Sequence, residues 1–314
     1  MSRDAVLNKR EALKVRSTKP LGLRRYLWRD WLRQRPLVDA YKEVRHQLHL
    51  RHLLRLKAPD GDADNVRQEI RSRNVIMTLA FGDALFTDWQ ARLISKYVPG
   101  ALHIVADNSP TAKASAAVAE AAACRDVTLF RLPQNPWTGR VPARSHGFAL
   151  TWIWRNVILP GRPKAFGFVD HDIFPLAPTD PFAMLDNRIA YGARRRDYGC
   201  SYIWPGFCFF RFSAVENTPL NFSPSYLNGL ETGGMNWHVI YRHLAANQIA
   251  WFDLVNEPLT NDPHGPYVQR AGLWIHMSGL SWNTLGVPPA VADQQRETKR
   301  RYIESVLAPH IATT

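Results

Sequence analysis

The stretch Lys164–Leu176, KAFGFVDHDIFPL, constrains this chain more than any other. Its apolar run Ala165–Val169 is short enough for a buried strand and stops abruptly in Asp170-His171-Asp172. Packing offers no reason for such an ending, because unpaired carboxylates are costly to bury. Alternation along a strand puts Asp170 and Asp172 on one side and His171 on the other. Two carboxylates converging at the carboxyl end of a strand make a hard-oxygen site for Mg²⁺ or Mn²⁺, which can in turn hold a diphosphate. A lone D-x-D after a strand is otherwise only an acidic turn, so the rest of the chain has to decide between the two.

The charge is unevenly placed. Residues 1–57 carry 16 of the 40 Lys+Arg and 5 of the 27 Asp+Glu, so eleven of the thirteen net positive charges lie there and the remainder of the 314 residues is nearly neutral. This predicts a basic helical extension, broken at Pro20 and Pro36, attached to a globular body. Within it Leu23, Tyr26, Leu27 and Trp31 recur at helical spacing among Arg24, Arg25, Arg29 and Arg33. Such a helix can rest on anionic lipid with its aromatics at headgroup depth, or pack on the body with its Arg in water. Nucleic-acid binding through the same charges is the weaker alternative. Ala58–Asn65 reads as an acidic, turn-rich linker, dividing an extension of residues 1–65 from a domain of residues 66–314.

Three cysteines, Cys124, Cys200 and Cys208, are odd in number and lack metal-site spacing, which points to reduced thiols in a cytosolic compartment. The opening MSRDAVLNKREALK has no apolar core of the signal-peptide kind, and no stretch approaches the roughly 18 apolar residues of a membrane span. The expectation is a cytoplasmic protein that at most lies peripherally on the inner face of the membrane.

From Asn74 strands alternate with helices: strand Val75–Phe81, helix Phe86–Tyr97, strand Leu102–Ala106, helix Thr111–Cys124, strand Val127–Leu132, helix Ser145–Val157, then the D-x-D strand. Ile189–Gly192 and Tyr202–Phe212 follow as further strands, the second bent at Pro205-Gly206. Alternation of this kind predicts an α/β fold, a mostly parallel sheet flanked by helices. Ligands on such sheets bind beyond the carboxyl ends of the strands. Asp107 and the pair Asp170/Asp172 both end strands and should share one rim.

Taken together, residues 74–282 resemble a GT-A-fold glycosyltransferase, closest in plan to the family 2 enzymes. The matching motifs are the acid-ended second strand Asp107-Asn108-Ser109, the Gly-containing helix start Ser145-His146-Gly147 and the D-x-D. The resemblance implies a nucleotide-diphosphate-sugar donor bound by Asp107, Asn108, Arg144, Asp170 and Arg195, and a divalent Mn²⁺ or Mg²⁺. Glu231, in Leu230-Glu231-Thr232-Gly233-Gly234, sits where the family carries an acid facing the acceptor. It is the candidate base, since an inverting transfer needs a carboxylate to deprotonate the attacking hydroxyl. Thr232, Gly233 and Trp237 are the candidate acceptor-binding residues. Trp274–Trp282 resembles the His-x-x-Gly-x-x-Lys-Pro-Trp ending of family 8 glycosyltransferases, with Ser281 in place of the Lys. It makes His276 the third metal ligand beside Asp170 and Asp172. The two resemblances imply opposite stereochemical outcomes. The implied acceptor is a glycan or lipid-linked precursor of a cell-surface polysaccharide, with an anionic membrane surface as a partner of residues 1–57.

Arg194-Arg195-Arg196 can neutralise a diphosphate leaving group, and Trp152, Trp204, Trp237 and Trp282 can stack on sugar faces. Two other functions stand against transfer. A nucleotidyltransferase needs a Gly-rich basic loop after its first strand, where this chain has Phe81-Gly82-Asp83-Ala84. A non-catalytic membrane- or nucleic-acid-binding protein would act through the basic arm alone.

Overall fold

The computed structural model describes residues 22–59, 62–125, 127–138, 141–262, 265–279 and 288–312. The first part of the basic extension, with Pro20, and the end of the family 8-like stretch, with Ser281 and Trp282, lie outside the described residues.

After a short helix Trp28–Leu32 come α1 (Arg35–Leu53) and α2 (Asp62–Glu69). Pro36 sits in the first turn of α1, where its missing N–H costs nothing, so it starts a helix there. The expected linker is corrected in the same way. Asp62, Ala63 and Asp64 form the first turn of α2, where acids favour the positive end of the helix. The division expected at residue 65 falls inside this helix. Leu50, Leu54, Ala63, Val66 and Ile70 are buried in the main core, and the Trp152 indole donates to the Leu56 carbonyl at 2.9 Å.

The body opens with β1 (Asn74–Ala80), α3 (Ala84–Tyr97), β2 (Leu102–Asp107), α4 (Ala112–Ala123) and β3 (Thr128–Arg131). Asp83 and Thr111 cap α3 and α4 by accepting the N–H groups of Phe86 and Ala114. The loop after β1 is thus occupied with starting a helix. Then follow α5 (Pro142–Ile153), which runs into a π turn at Trp154–Ile158, and β4 (Ala165–Asp170). β6 (Ala190–Asp197), β7 (Cys200–Arg211) and β8 (Ile249–Phe252) complete a seven-stranded sheet of order β3-β2-β1-β4-β7-β6-β8. All its pairings are parallel except the two made by β7. The expected α/β architecture, a mostly parallel sheet flanked by helices, is the observed one.

The aromatic residues of β4 and β7 enter two cores, Phe166, Phe168 and Phe210 the main one and Phe207 and Phe209 the one that includes Ile173 and Trp274, and all five are buried. Gly167 is required there, because a Cβ would run into the Phe209 ring. A second, antiparallel sheet of order β5-β11-β10-β9 grows from the end of β4: β5 (Ile173–Pro175), β9 (Val255–Pro258), β10 (Tyr267–Ala271) and β11 (Trp274–His276). The long C-terminal helix α6 (Pro289–Ile311) covers it, burying Ile303 and Leu307 against Phe86, Phe174 and Ile275. Cys124, Cys200 and Cys208 are all free thiols.

Two buried imidazoles set an acid limit on this core. His103 has its pKa lowered by burial to about 3. For His46, burial, helped by Arg144 and His49, lowers it to about 4. The unfolded chain takes up both protons near pH ~6.5, so this stability is complete above that pH and is lost as pH falls towards the folded values. Lowering the pH from about 8 to about 5 should cost roughly 2–4 kcal/mol. His46→Gln should remove about half of that dependence in thermal melts. A wild-type melting temperature flat across this range would contradict it.

Candidate active site

Parallel pairing sets the rim. Asp107 stands opposite Ala80, and Asp170 opposite Leu79, on the two flanks of β1. Beyond this edge lies a cavity of about 780 Å³ lined by Asn108, His146, Asp170, His171, Asp172, Arg194, Arg195, Trp204, Glu231, Thr232 and His276, among others. Its size and mixed lining are those of a cleft for a nucleotide-sized ligand.

Strand alternation is not what brings the D-x-D acids together. β4 ends at Asp170, residues 171–172 form a turn, and β5 begins at Ile173. His171 lines the same cavity as the acids. The turn is tied down from beneath by Gln90, whose amide donates to the carbonyls of Asp170 and Ile173, both at 2.8 Å. Thr78 Oγ1 donates to Gln90 Oε1 at 2.6 Å and lies 2.8 Å from His103 Nε2. The Thr78 proton is committed to Gln90, so His103 Nε2 carries the hydrogen of a neutral ring. This buried polar ladder, His103–Thr78–Gln90, ends on the backbone of the D-x-D turn.

The second sheet supplies the other half. β11 pairs antiparallel with β5, setting His276 opposite Ile173, and Met277 N–H donates to the Asp172 carbonyl at 3.0 Å. His276 Nδ1 lies 2.9 Å from Gln269 Oε1, its opposite number on β10, and donates to it. Nε2 then faces Asp172 Oδ1 across 3.4 Å. An imidazole fixed through Nδ1–H to an amide oxygen, with Nε2 turned to a carboxylate, is the donor arrangement of a metal-ligating His. Trp204 lies over the His276 ring at 4.9 Å and walls this corner.

Asp170 has a different neighbour. His146, in the first turns of α5, places Nε2 2.9 Å from Asp170 Oδ1. Burial lowers the His146 pKa, but Asp170 outweighs it and the net direction is up. Asp172 resolves the other way. Burial raises it, yet His276 and His171 draw it down to about 2, so it is a carboxylate at neutral pH. The acids are thus split between two imidazoles, and among the described residues no three His, Cys, Asp or Glu side chains already converge as an ion-binding group. The chemistry of Asp170, Asp172 and His276, lining one cavity, still suits Mn²⁺ or Mg²⁺. Gly206 makes room for them, since a Cβ there would come within 2.5 Å of Asp170 Oδ2 and strike the Trp204 ring.

Glu231 is solvent-exposed at the cavity wall and its backbone is anchored. Its N–H donates to the Tyr202 hydroxyl at 3.0 Å, which donates to Asp197 Oδ2 at 2.6 Å; Arg195 Nε donates to the same oxygen at 3.0 Å. Burial and Asp197 raise the Tyr202 pKa, so its proton stays on. One buried hydroxyl therefore couples the positions of Glu231 and Arg195. Tyr202→Phe should cost about 1–3 kcal/mol in thermal or urea unfolding and about tenfold in turnover, by leaving Glu231 N–H unpaired. Unchanged turnover would show that Glu231 does not depend on this anchor.

Several expected residues lie elsewhere. Asp107 is buried beneath the rim, accepting from Ser109 N–H at 2.9 Å and from the hydroxyls of Ser109 and Ser115. It shapes the turn that carries Asn108, which does line the cavity. Arg144 points to the Tyr226 hydroxyl, 2.9 Å away, and is not among the lining residues. Trp237 and Trp152 are buried in the hydrophobic core. Gly233, at φ +86°, lets the chain pass Pro205; a Cβ would approach its ring to 2.8 Å. His146, Gln90, Tyr202 and Gln269 were not singled out by sequence reasoning. Only His146, quoted within the helix start before the D-x-D, carried any local signal.

No family model and no curated relative matches the chain. Among solved structures it is similar to the mannosyltransferase PcManGT from Pyrobaculum calidifontis in complex with GDP-Man and Mn²⁺, with 14% identity, 58% of this chain and 56% of that one covered, and a TM-score of 0.33. It is also similar to the apo structure of the bifunctional glycosyltransferase WbbM, with 11% identity, 59% of this chain and 39% of that one covered, and a TM-score of 0.36. The chain thus spans little more than half of the first and under two-fifths of the second.

Proposed function

We propose that this chain is a GT-A-type glycosyltransferase that moves a sugar from a nucleotide-diphosphate donor to a glycan or lipid-linked acceptor of cell-surface polysaccharide synthesis. One observation carries the reading. The D-x-D acids at the end of β4 and His276 from the second sheet line a single cavity, at the carboxyl edge of the parallel strands, that Arg195 and Glu231 also line.

Asp170, Asp172 and His276 would hold a divalent ion, Mn²⁺ or Mg²⁺, which when bound supplies Lewis-acid stabilisation of the departing nucleoside diphosphate. Gln269 keeps the His276 proton on Nδ1 and Nε2 turned to the cavity. Asn108 offers an amide to the base or ribose, held at 3.0 Å from Ser145 Oγ. Arg195, oriented by Asp197, brings a cation to the leaving group. Glu231 takes the acceptor proton in an inverting transfer, with Thr232 beside it. Retention has no need of that base, so Glu231→Gln separates the two. A loss of about 10²–10⁴ in transfer supports inversion, and little loss supports retention.

The test of the reading is release of nucleoside diphosphate from a panel of UDP-, GDP- and dTDP-sugars, with Mn²⁺, Mg²⁺ or chelator, for wild type and His276→Ala. Slow metal-dependent release from one donor, weakened in the variant, is expected. No release from any donor, with no metal-dependent thermal shift by any nucleoside diphosphate, would overturn it.

A further inference from the structure

The N-terminal helices bury one side and leave the other bare. α1 packs Pro36, Asp39, His46 and Leu50 against the body. Leu37, Tyr41, Val44 and Leu48 project from the opposite side, all exposed, from 57% for Leu48 to 67% for Leu37. At 100° per residue these four fall within about 60° of arc and form an apolar ridge about 16 Å long. Trp28, 76% exposed, and Leu32 continue the apolar surface on the preceding short helix. Nothing among the described residues covers it. An apolar ridge of this length facing water is an interaction surface, whereas scattered single residues would need no explanation.

The charges around the ridge identify what it meets. Of the ten Lys and Arg between residues 22 and 57, nine are exposed and Arg25 is partly buried. None of the three acids in that span is exposed. Asp30 accepts the Leu27 N–H, Asp39 pairs with Arg25 and the Tyr26 hydroxyl, and Glu43 accepts the Leu227 N–H. The outward face is therefore cationic and apolar together. A second copy of the chain would bring two such cationic faces into contact. A nucleic-acid backbone would use the cations and leave the Leu and Val ridge exposed. An anionic bilayer takes both, the ridge at the acyl boundary and the cations among the phosphates. We propose that the outward face of residues 22–57 docks this protein on anionic phospholipid membranes.

Docking would also orient the cavity. The inward side of α1 holds the loop that leads to Glu231. His46 Nε2 lies 3.0 Å from Ser223 Oγ, Gln47 Oε1 accepts from Asn221 at 3.1 Å, and Arg25 Nε donates to the Leu227 carbonyl at 3.2 Å. The Glu231 wall of the cavity would thus be tied directly to the membrane-bound helix, which suits an acceptor carried by the bilayer. This last consequence rests on the transfer reading, whereas the docking itself does not.

The test is co-sedimentation of the full-length chain with vesicles of phosphatidylcholine alone or of equimolar phosphatidylcholine and phosphatidylglycerol. Binding is expected to the anionic vesicles only, weakened by high salt. It should fall about tenfold or more in Leu37→Ser/Tyr41→Ser/Val44→Ser, and likewise in Lys42→Glu/Arg45→Glu. Both variants should keep the wild-type melting temperature and solution hydrolysis of the donor; if the triple variant melts early, the charge pair decides. No vesicle binding, or binding that neither variant weakens, overturns the proposal. So does a dimer in sedimentation velocity that the ridge variant dissolves, or nucleic-acid binding in place of vesicle binding. Binding seen only after removal of residues 1–21 would mean that the chain covers its own ridge, and overturns it as well. Wild-type protein that binds vesicles but turns over no donor would leave docking standing and remove the transfer reading.

Discussion

Asp172→Ala is expected to reduce metal-dependent donor turnover by about 10³-fold or more while leaving a folded protein. Loss of a charged group that acts on the leaving diphosphate removes about 4 kcal/mol of transition-state stabilisation. Asp172 is buried, and it stays ionised because His276 and His171 outweigh the cost of burial. Its pKa, lowered to about 2 from an ordinary 3.8, also makes it a stabilising group. That contribution is present above the unfolded value and is lost as pH falls through the folded one. Removing the side chain should therefore destabilise the fold above the unfolded carboxylate value, by about 2 kcal/mol at most. Asp172→Asn, which keeps the shape and removes the charge, should lose turnover almost as completely. An Asn variant with wild-type turnover would end the D-x-D reading, since an amide cannot replace a carboxylate towards a divalent ion.

Gln90→Leu should show the second largest effect, from a residue that touches no ligand. The substitution keeps the volume and removes both donors to the turn, from the carbonyls of Asp170 and Ile173. Each buried acceptor left without a partner costs about 1–3 kcal/mol, and Thr78 loses its acceptor at the same time. A total of about 3 kcal/mol, or roughly 4–6 °C in melting temperature, is expected. Turnover should fall about 10²-fold, because a displacement of about 1 Å in a catalytic group has that effect. A kcat loss with an unchanged metal requirement would place Gln90 as a positioning residue for the D-x-D. A protein that melts early and turns over normally would show that the β5–β11 pairing alone holds the turn.

Much of this architecture was legible in the residues. Strand Leu102–Asp107 and helix Ala112–Ala123 differ from their expected bounds by a single residue at one or both ends, because an apolar run ending in Asp-Asn-Ser-Pro and an Ala-rich run after Thr leave little choice. Of the linker expected at Ala58–Asn65, residues 62–65 are the start of a helix. Its acids and Gly look like a turn, yet the same acids favour a helix start once Val66 and Ile70 have a core to enter. Trp237, expected at the acceptor, is buried in the core, among residues far along the chain. Within the described residues no helix is long and apolar enough to cross a membrane. The residues expected at helical spacing, Leu23, Tyr26, Leu27 and Trp31, precede the exposed face of α1, and Tyr26 is buried.

By itself the sequence determined the alternation of strands and helices, the acids at the strand ends and the concentration of positive charge near the N-terminus. These are local properties, set by the period of apolar residues and by the chemistry of a few side chains. Only the tertiary structure decided that Asp170 meets His146, that Asp172 meets His276, and that Gln90 fastens the turn between them. Those pairs are separated by 24, 104 and 80 or more residues in the chain. The first and third depend on how helices α5 and α3 pack on the sheet, and the second on antiparallel pairing of β5 with β11. No spacing rule along one segment encodes such a register, because it is set by the packing of both sheets at once.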